Sequence, residues 1–310
     1  MIETNLQQYL SSRRAAIDRA LERYINEQPG HSQSIWRAVH YALFPGGKRI
    51  RPVLTVAAGE LFGSPTEALL PFACAVEMIH AYSLIHDDLP ALDDDDLRRG
   101  EPTVHKVFGE GVALLAGDAL LTQAFHVMSG PEAARSVPAE TLLSLVNELA
   151  HAAGLAGLVG GQAFDLEAEG KDADVATVEY IHVRKTGALI LASVRMGARV
   201  AGAGDEELRH ISRYGEYLGL AFQIADDVLD MQEPGAHRHM TESGRKERKK
   251  ATYPAVVGLA QAKERLRQLH RQCKLELSSL GSAAEPLRGI AEQVITRATR
   301  EQPGEKPQDG

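Results

Sequence analysis

Carboxylates crowd two places in this chain. The run His86-Asp87-Asp88-Leu89-Pro90-Ala91-Leu92-Asp93-Asp94-Asp95-Asp96-Leu97-Arg98-Arg99 carries six Asp within ten residues. The run Gln223-Ile224-Ala225-Asp226-Asp227-Val228-Leu229-Asp230 carries three within five. Both lie in apolar, helix-like sequence. Like charges about 4 Å apart repel by about 1 kcal/mol in water and about 4 kcal/mol at an effective dielectric of about 20. Such clusters need full solvation or cations. Oxygen-only donor sets suit hard ions, and Mg²⁺ usually joins one or two carboxylates to substrate phosphates.

On a helix Asp226 and Asp230, at i and i+4, share one face, and Asp227 stands a step to the side. Asp87 and Asp93 are six apart, which a continuous helix does not align. Pro90 breaks the helix at Leu89 and can swing Asp93 back towards Asp87. Asp94, Asp95 and Asp96 read as a solvated or capping run. The adjacent Arg98 and Arg99 have the fork geometry that matches phosphate oxygens. A second basic element, Gly46-Gly47-Lys48-Arg49-Ile50-Arg51-Pro52, places Lys48 and Arg51 three apart, able to face one way. His80 precedes Asp87 by two helical turns and roughly shares its face. Lys185-Thr186-Gly187 is an isolated basic point, and Lys249-Lys250 closes a charged segment. Each of these could be ordinary solvated surface or a satisfied core histidine. Together they describe two acidic platforms with metal between them and a polyanion, and a separate cationic set that needs no metal.

These groups must be held by helices. Apolar residues recur at helical spacing: Leu6, Leu10, Ile17, Leu21 and Ile25 form one stripe, ended by Pro29-Gly30, and Ile35, Val39, Ala42 and Leu43 a second, ended by Pro45-Gly46-Gly47. Further helices are predicted over 50–62, from 66 into the first Asp cluster, and over 111–129, 139–168, 175–201, 205–231, 253–278 and 284–300. Gly160-Gly161 and Gly187 are expected to interrupt some of them. Strand alternation is nearly absent and no βαβ unit is found, so a dinucleotide-binding fold is a poor match. The expectation is one all-α domain over 1–300, a helical bundle around a central cavity, with a disordered polar tail over 301–310.

Composition narrows the partners. Net charge is −8, which argues against nucleic acid. Aromatic residues are 5% against 44% hydrophobic, so the core must be mainly small aliphatics. Cys74 and Cys273 have no metal-like spacing and read as free thiols. No run of 18 uncharged apolar residues appears, and the N-terminal residues lack the apolar core of a signal peptide, so neither a membrane span nor export is expected and a cytoplasmic location is.

Asp-Asp-Leu-Pro-Ala-Leu-Asp-Asp-Asp-Asp-Leu-Arg-Arg-Gly, Gly-Gly-Lys-Arg-Ile-Arg-Pro and Phe-Gln-Ile-Ala-Asp-Asp-Val-Leu-Asp resemble the motifs of the trans-prenyltransferases, and most of all bacterial farnesyl diphosphate synthases. The likeness spans about residues 30 to 260. It implies an all-α isoprenoid-synthase fold, a homodimer and three Mg²⁺ ions, with Mn²⁺ able to substitute. By position it implies Asp87, Asp93 and Asp226 as metal ligands, supported by Asp88 and Asp230. It assigns Arg98, Lys185 and Lys250 to an allylic diphosphate and Lys48, Arg51, His80 and Arg99 to isopentenyl diphosphate. Lys185, Thr186 and Gln223 would line the reacting centre. The implied reaction is head-to-tail (1′-4) condensation of dimethylallyl or geranyl diphosphate with isopentenyl diphosphate, giving farnesyl diphosphate. Tyr82 and Ser83, about one turn before Asp87, resemble the floor of short-chain enzymes, pointing to C15 or C10.

One segment departs from the family pattern. Where relatives carry Gly-Lys-x-x-Gly-x-Asp after the second Asp motif, counting without gaps puts His239-Met240 at Gly-Lys, Ser243 at the later Gly and Arg245 at the Asp. Methionine cannot neutralise diphosphate, and Arg238, then Arg245, are the expected substitutes. This keeps open a weakly active or non-catalytic regulatory relative, besides synthases of geranyl or geranylgeranyl diphosphate. A terpene cyclase would have no use for the second cationic set, and a metal-storage protein no use for the arginines and lysines.

Overall fold

The computed structural model of the chain describes residues 2–26, 30, 32–44, 46–232 and 252–300. Among them helix follows helix: α1 (Ile2–Tyr24), α2 (Gln33–Leu43), α3 (Ile50–Leu61), α4 (Thr66–Asp87), α5 (Val104–Phe108), α6 (Glu110–Met128), α7 (Pro131–Ser136), α8 (Ala139–Ala153), α9 (Leu158–Ala168), α10 (Val175–His182), α11 (Ala188–Val200), α12 (Asp205–Gln232), α13 (Tyr253–Val257), α14 (Leu259–Glu276) and α15 (Glu285–Thr299). A two-residue antiparallel pair, β1 (Leu97–Arg98) with β2 (Glu101–Pro102), is the only sheet among the described residues.

The bundle is built round α4. From Leu69 to Ile85 nearly every one of its residues is buried, because α1, α3, α6 and α11 pack around it. A helix buried all round needs no polar face, which is why α4 shows no amphipathic stripe. Small side chains set the spacing. A Cβ on Gly197 would lie 2.0 Å from the Thr55 carbonyl oxygen, so α11 and α3 touch backbone to backbone there. A second, smaller apolar cluster (Val178, Ile224, Val228, Tyr253, Leu266, Ile295) joins α10, α12, α13, α14 and α15. Helix α12 borders both clusters, which gives the second Asp motif its rigid mount.

The helical boundaries depart from expectation at glycines and at one wide turn. The helix predicted over 139–168 divides at Gly154–Gly157, whereas Gly160 and Gly161 lie inside α9. At Gly157 a Cβ would come within 2.0 Å of the Ala152 carbonyl oxygen, so the break requires glycine. The helix predicted over 253–278 divides at Gly258, whose φ of 86° only glycine adopts freely. The helix predicted over 175–201 does not stop at Gly187 but passes through a π turn at Val183–Gly187. The tail over 301–310 lies outside the described residues.

By length and composition Thr66–Asp87, Glu110–Ser136 and Ala139–Ala168 could each cross a membrane, which counting uncharged runs did not reveal. In α4 83% of that apolar window is buried inside the fold, so its composition is explained by its central place. Only 39% and 33% of the other two windows are buried, leaving an apolar face outside.

Candidate active site

At the end of α4 the chain curls back on itself. Past Pro90, the Asp93 amide donates to the Asp87 carbonyl at 2.8 Å, and the Asp95 amide to the Asp88 carbonyl at 3.2 Å. Asp94 adopts φ +57°, which the tight reversal requires. Asp93 is thus returned beside Asp87. Of the run expected to be solvated or capping, Asp95 and Asp96 are held by the fold. Asp95 is buried, with the Thr103 hydroxyl donating to its carbonyl at 2.8 Å. Asp96 pairs with Lys106 at 2.5 Å. Arg98 grips Asp88 with Nε at 2.8 and 2.9 Å from its two oxygens and Nη2 at 2.5 Å. Asp88, its side chain 4% exposed, thereby ties the hairpin carrying Arg98 and Arg99 to the end of α4.

Lys185 and Thr186 lie in the π turn. Such a turn inserts a residue into the helical ladder and is frequent at functional sites. It is clasped on both sides by glycines: a Cβ on Gly161 of α9 would lie 2.3 Å from the Lys185 nitrogen, and one on Gly219 of α12 would lie 2.7 Å from Gly187 Cα. Two consecutive side chains therefore reach different helices. Lys185 Nζ donates to Asp165 of α9 at 2.6 Å, and the Thr186 hydroxyl donates to Gln223 Oε1 of α12 at 2.8 Å. Burial disfavours the charge on Lys185, but Asp165, and more weakly Asp87 and Asp93, raise its pKa. Lys185 therefore feels the first Asp motif, while Thr186 bonds to Gln223 at the head of the second.

Asp226 is one turn beyond Gln223, and the exposed Asp230 one turn beyond that. Burial pushes the Asp226 carboxyl up to about 6, with Asp230 and Asp227 adding to the rise and Lys48 and Arg51 opposing it. Lys48 and Arg51 thus lie within electrostatic reach of Asp226. Arg51 Nη1 lies 3.2 Å from His80 Nε2. Burial, then Arg51 and Arg99, holds His80 well below its ordinary pKa, so it is neutral near pH 7. Burial lowers Lys48, Arg51 and Arg99 as well. A dianionic ligand would relieve all four.

A buried ion cluster shapes this basic set. Arg49 adopts φ +49° at the start of α3, and its side chain is 3% exposed. It bonds Glu77 at 2.6 Å, Asp18 at 3.0 Å and the Leu43 carbonyl. Arg99 donates to the Gly46 carbonyl, and a Cβ on Gly47 would lie 2.7 Å from its guanidinium, so the two glycines admit Arg99 against the loop backbone. Arg49, Glu77 and Asp165 were not singled out from sequence. Asp165 follows the close-contact Gly161 by one turn, which is the signal that could have found it. Nothing in the spacing marks Arg49 as buried.

Below Asp87, Tyr82 is buried, its hydroxyl without a partner among the described residues, and its ring stands edge-on to His86 at 5.6 Å. Burial, then Asp87, pushes its pKa up to about 12. Ser83 turns its hydroxyl back to the His80 carbonyl at 2.9 Å. Lys250, with Arg238, His239, Met240, Ser243 and Arg245, lies outside the described residues.

The donor set fits Mg²⁺. The carboxylates at 87, 93, 226 and 230 offer oxygen alone, and Asp226 lacks enough protein cation to keep an ordinary pKa. No closed cage of three or more His, Cys, Asp or Glu exists among the described residues, and Mg²⁺ shared with phosphate needs none.

The chain is 45% identical over 294 residues to a dimethylallyltranstransferase of Fischerella ambigua (strain UTEX 1903), covering 94% of this chain and 84% of that one. It is 45% identical over 284 residues to a farnesyl diphosphate synthase of Escherichia coli (strain K12), covering 90% and 95%. The crystal structure of an FPP/GFPP synthase from Zymomonas mobilis matches with a TM-score of 0.85 at 37% identity, covering 95% and 100%. The family model described as polyprenyl synthetase matches residues 32–284, which include both Asp motifs, the Lys48–Arg51 element and the π turn, and the chain belongs to that family.

Proposed function

We propose that the protein is a Mg²⁺-dependent prenyltransferase that joins dimethylallyl or geranyl diphosphate to isopentenyl diphosphate in 1′-4 fashion, with farnesyl diphosphate as product. The observation that carries this reading is the linkage Asp165–Lys185–Thr186–Gln223, which runs from a lysine that feels the first Asp motif to the head of the second, with a separate cationic set within electrostatic reach of Asp226. In this reading the two sets would serve two anionic ligands.

In this reading Asp87, Asp93 and Asp226, backed by Asp88 and Asp230, hold three Mg²⁺ ions, for which Mn²⁺ can substitute. Bound metal supplies charge that stabilises a leaving diphosphate. Lys185, with Arg98 and Lys250, contributes fixed positive charge to the same leaving group. Lys48, Arg51, neutral His80 and Arg99 bind the isopentenyl diphosphate and orient its double bond. Thr186 and Gln223 present oxygen dipoles to the allylic cation that forms as C1 loses diphosphate. Attack by the double bond and loss of a proton to the departing diphosphate give a product five carbons longer. Water must be excluded from the reacting carbon, because it would otherwise capture the cation as an alcohol.

Tyr82, buried about one turn before Asp87, supports a short product, because its ring would block chain growth there. Tyr82→Ala is expected to lengthen products by at least one five-carbon unit, read by chromatography of dephosphorylated products. The reading also includes a homodimer in the cytoplasm. Leu114 and Leu115 on α6, Leu143 on α8, Leu155 between α8 and α9, and Val159 at the start of α9 are exposed, with Leu143 at 71% and Leu155 at 89%, and a second copy would cover them. The test of the function is incubation of purified protein with dimethylallyl and isopentenyl diphosphates and Mg²⁺. Release of pyrophosphate with a C15 alcohol after phosphatase treatment is expected. Absence of both would return the chain to a non-catalytic role, the outcome the Met240 segment keeps open.

A further inference from the structure

Asp227 differs from its neighbours in the second Asp motif. Asp226 is one of the groups that feel the opposing cations, whereas Asp227 turns into the fold with its side chain 8% exposed. Groups from three elements converge on it. Gln223 Nε2 of α12 donates to Oδ1 at 3.1 Å. The Tyr253 backbone amide, at the start of α13, donates to Oδ2 at 2.8 Å. His182 Nε2, the last residue of α10 before the π turn, lies 3.3 Å from the same oxygen. His182 Nδ1 is buried with no partner among the described residues, so Asp227 is the polar contact that His182 has there.

A carboxylate accepts and cannot donate. Facing Asp227, the Gln223 side chain must turn its NH₂ inward and its Oε1 outward, towards the Thr186 hydroxyl 2.8 Å away. We propose that Asp227 is a positioning residue rather than a metal ligand: through the chain Asp227–Gln223–Thr186 it sets which atoms of Gln223 and Thr186 face the reacting carbon, and it joins α10, α12 and α13 around the π turn. This rests on the prenyltransferase reading for its catalytic consequence. The geometry itself does not.

Asp227→Asn keeps the volume and supplies one acceptor and one donor. The Tyr253 amide requires the acceptor, so the new NH₂ faces the Gln223 NH₂; Gln223 must flip, which turns its own NH₂ to Thr186 and makes that hydroxyl accept where it had donated. The expected result is a 10- to 100-fold fall in kcat, with KM for isopentenyl diphosphate and the half-saturating Mg²⁺ concentration within twofold. Combined with Thr186→Val, the loss is expected to equal that of the worse single variant, as for groups acting through one another. Losses that multiply, or a kcat unchanged in Asp227→Asn, overturn the proposal. Calorimetry with Mg²⁺ and inorganic pyrophosphate tests the metal claim without turnover: Asp226→Asn should weaken binding more than tenfold and Asp227→Asn less than twofold. A tenfold loss in Asp227→Asn makes it a ligand and refutes the assignment.

Hydrogen exchange in the substrate-free protein reads the geometry alone. Asp227→Ala should speed exchange of the Tyr253 amide at least tenfold, and unchanged exchange sinks the joint. A wild-type protein that makes no prenyl product would defeat the functional reading, while the calorimetry and exchange still decide whether Asp227 is built as described.

Discussion

At the end of α4 the carboxylates are answered by the protein itself: Asp88 by Arg98, Asp96 by Lys106, and the backbone reversal after Pro90 by hydrogen bonds to Asp87, Asp88 and Leu89. On α12 the chain is an ordinary helix, and Asp226, half-buried, carries the repulsion of Asp230 and Asp227 with help only from Lys48 and Arg51. The first region is assembled before any ligand arrives. The second holds charge in reserve. A buried pair loses heavily when one partner is removed, whereas a buried group with a raised pKa weakens the fold until something external neutralises it.

The comparison can be broken in several ways. Replacing either Asp87 or Asp226 by Ala should lower kcat/KM by about 10²–10³-fold in a product assay, because each removes a comparable stabiliser of leaving charge. Activity therefore fails to distinguish the regions, and an effect on only one would show the other to be dispensable. Stability should distinguish them. Asp88→Ala strands Arg98 and is expected to cost about 3 kcal/mol in urea unfolding, the low end for a broken buried pair because Arg98 is 27% exposed.

Asp226→Asn should do the reverse in metal-free protein. The folded carboxyl has a pKa of about 6 against an ordinary 3.8. The folded state therefore holds that proton more tightly than the unfolded chain. The resulting penalty is full above about pH 6 and gone below about pH 4. Asp226→Asn is thus expected to gain up to about 3 kcal/mol over wild type at pH 7.5 and to lose the advantage by pH 4. Mg²⁺ with pyrophosphate should reverse the order at pH 7.5. A metal-free variant no more stable than wild type would mean that the second motif is already neutralised.

The smallest effect is expected at Tyr82→Phe, beneath the first motif. Removing a buried hydroxyl that lacks a partner should raise stability by about 1 kcal/mol, seen as a higher urea midpoint at unchanged slope. A loss of similar size would reveal a hydrogen bond to that hydroxyl.

Much of the fold is legible in periodicity. The stripes Leu6–Ile25 and Ile35–Leu43, the helix over 50–62 and the break at Pro90 are local consequences of side-chain shape and backbone freedom, and they appear at α1, α2, α3 and the end of α4. Helix α4 was recognisable as a helix but not as the central one, because a fully buried helix and a membrane-length helix share one composition. The break at Gly154–Gly157, in place of Gly160-Gly161, depended on which glycines meet a neighbouring backbone, and no local rule supplies that.

The candidate site divides along the same line. Asp87, Asp93, Asp226, Lys48 and Arg51 can be picked out because charge in apolar sequence is anomalous wherever it occurs. Asp165, Arg49 and Glu77 are single charges in unremarkable surroundings, and they matter through contacts spanning from 20 to 31 residues of chain. By itself the sequence determined the helices, the acidic and basic inventory, and the kink that returns Asp93 to Asp87, since each follows from residues within a few turns of one another. Only the tertiary structure decided that Lys185 feels the first motif while Thr186 bonds to Gln223 at the head of the second, and that Asp227 points away from Asp226. Side-chain direction at those positions is set by a π turn wedged between glycines of two distant helices, and packing, unlike propensity, has no local record.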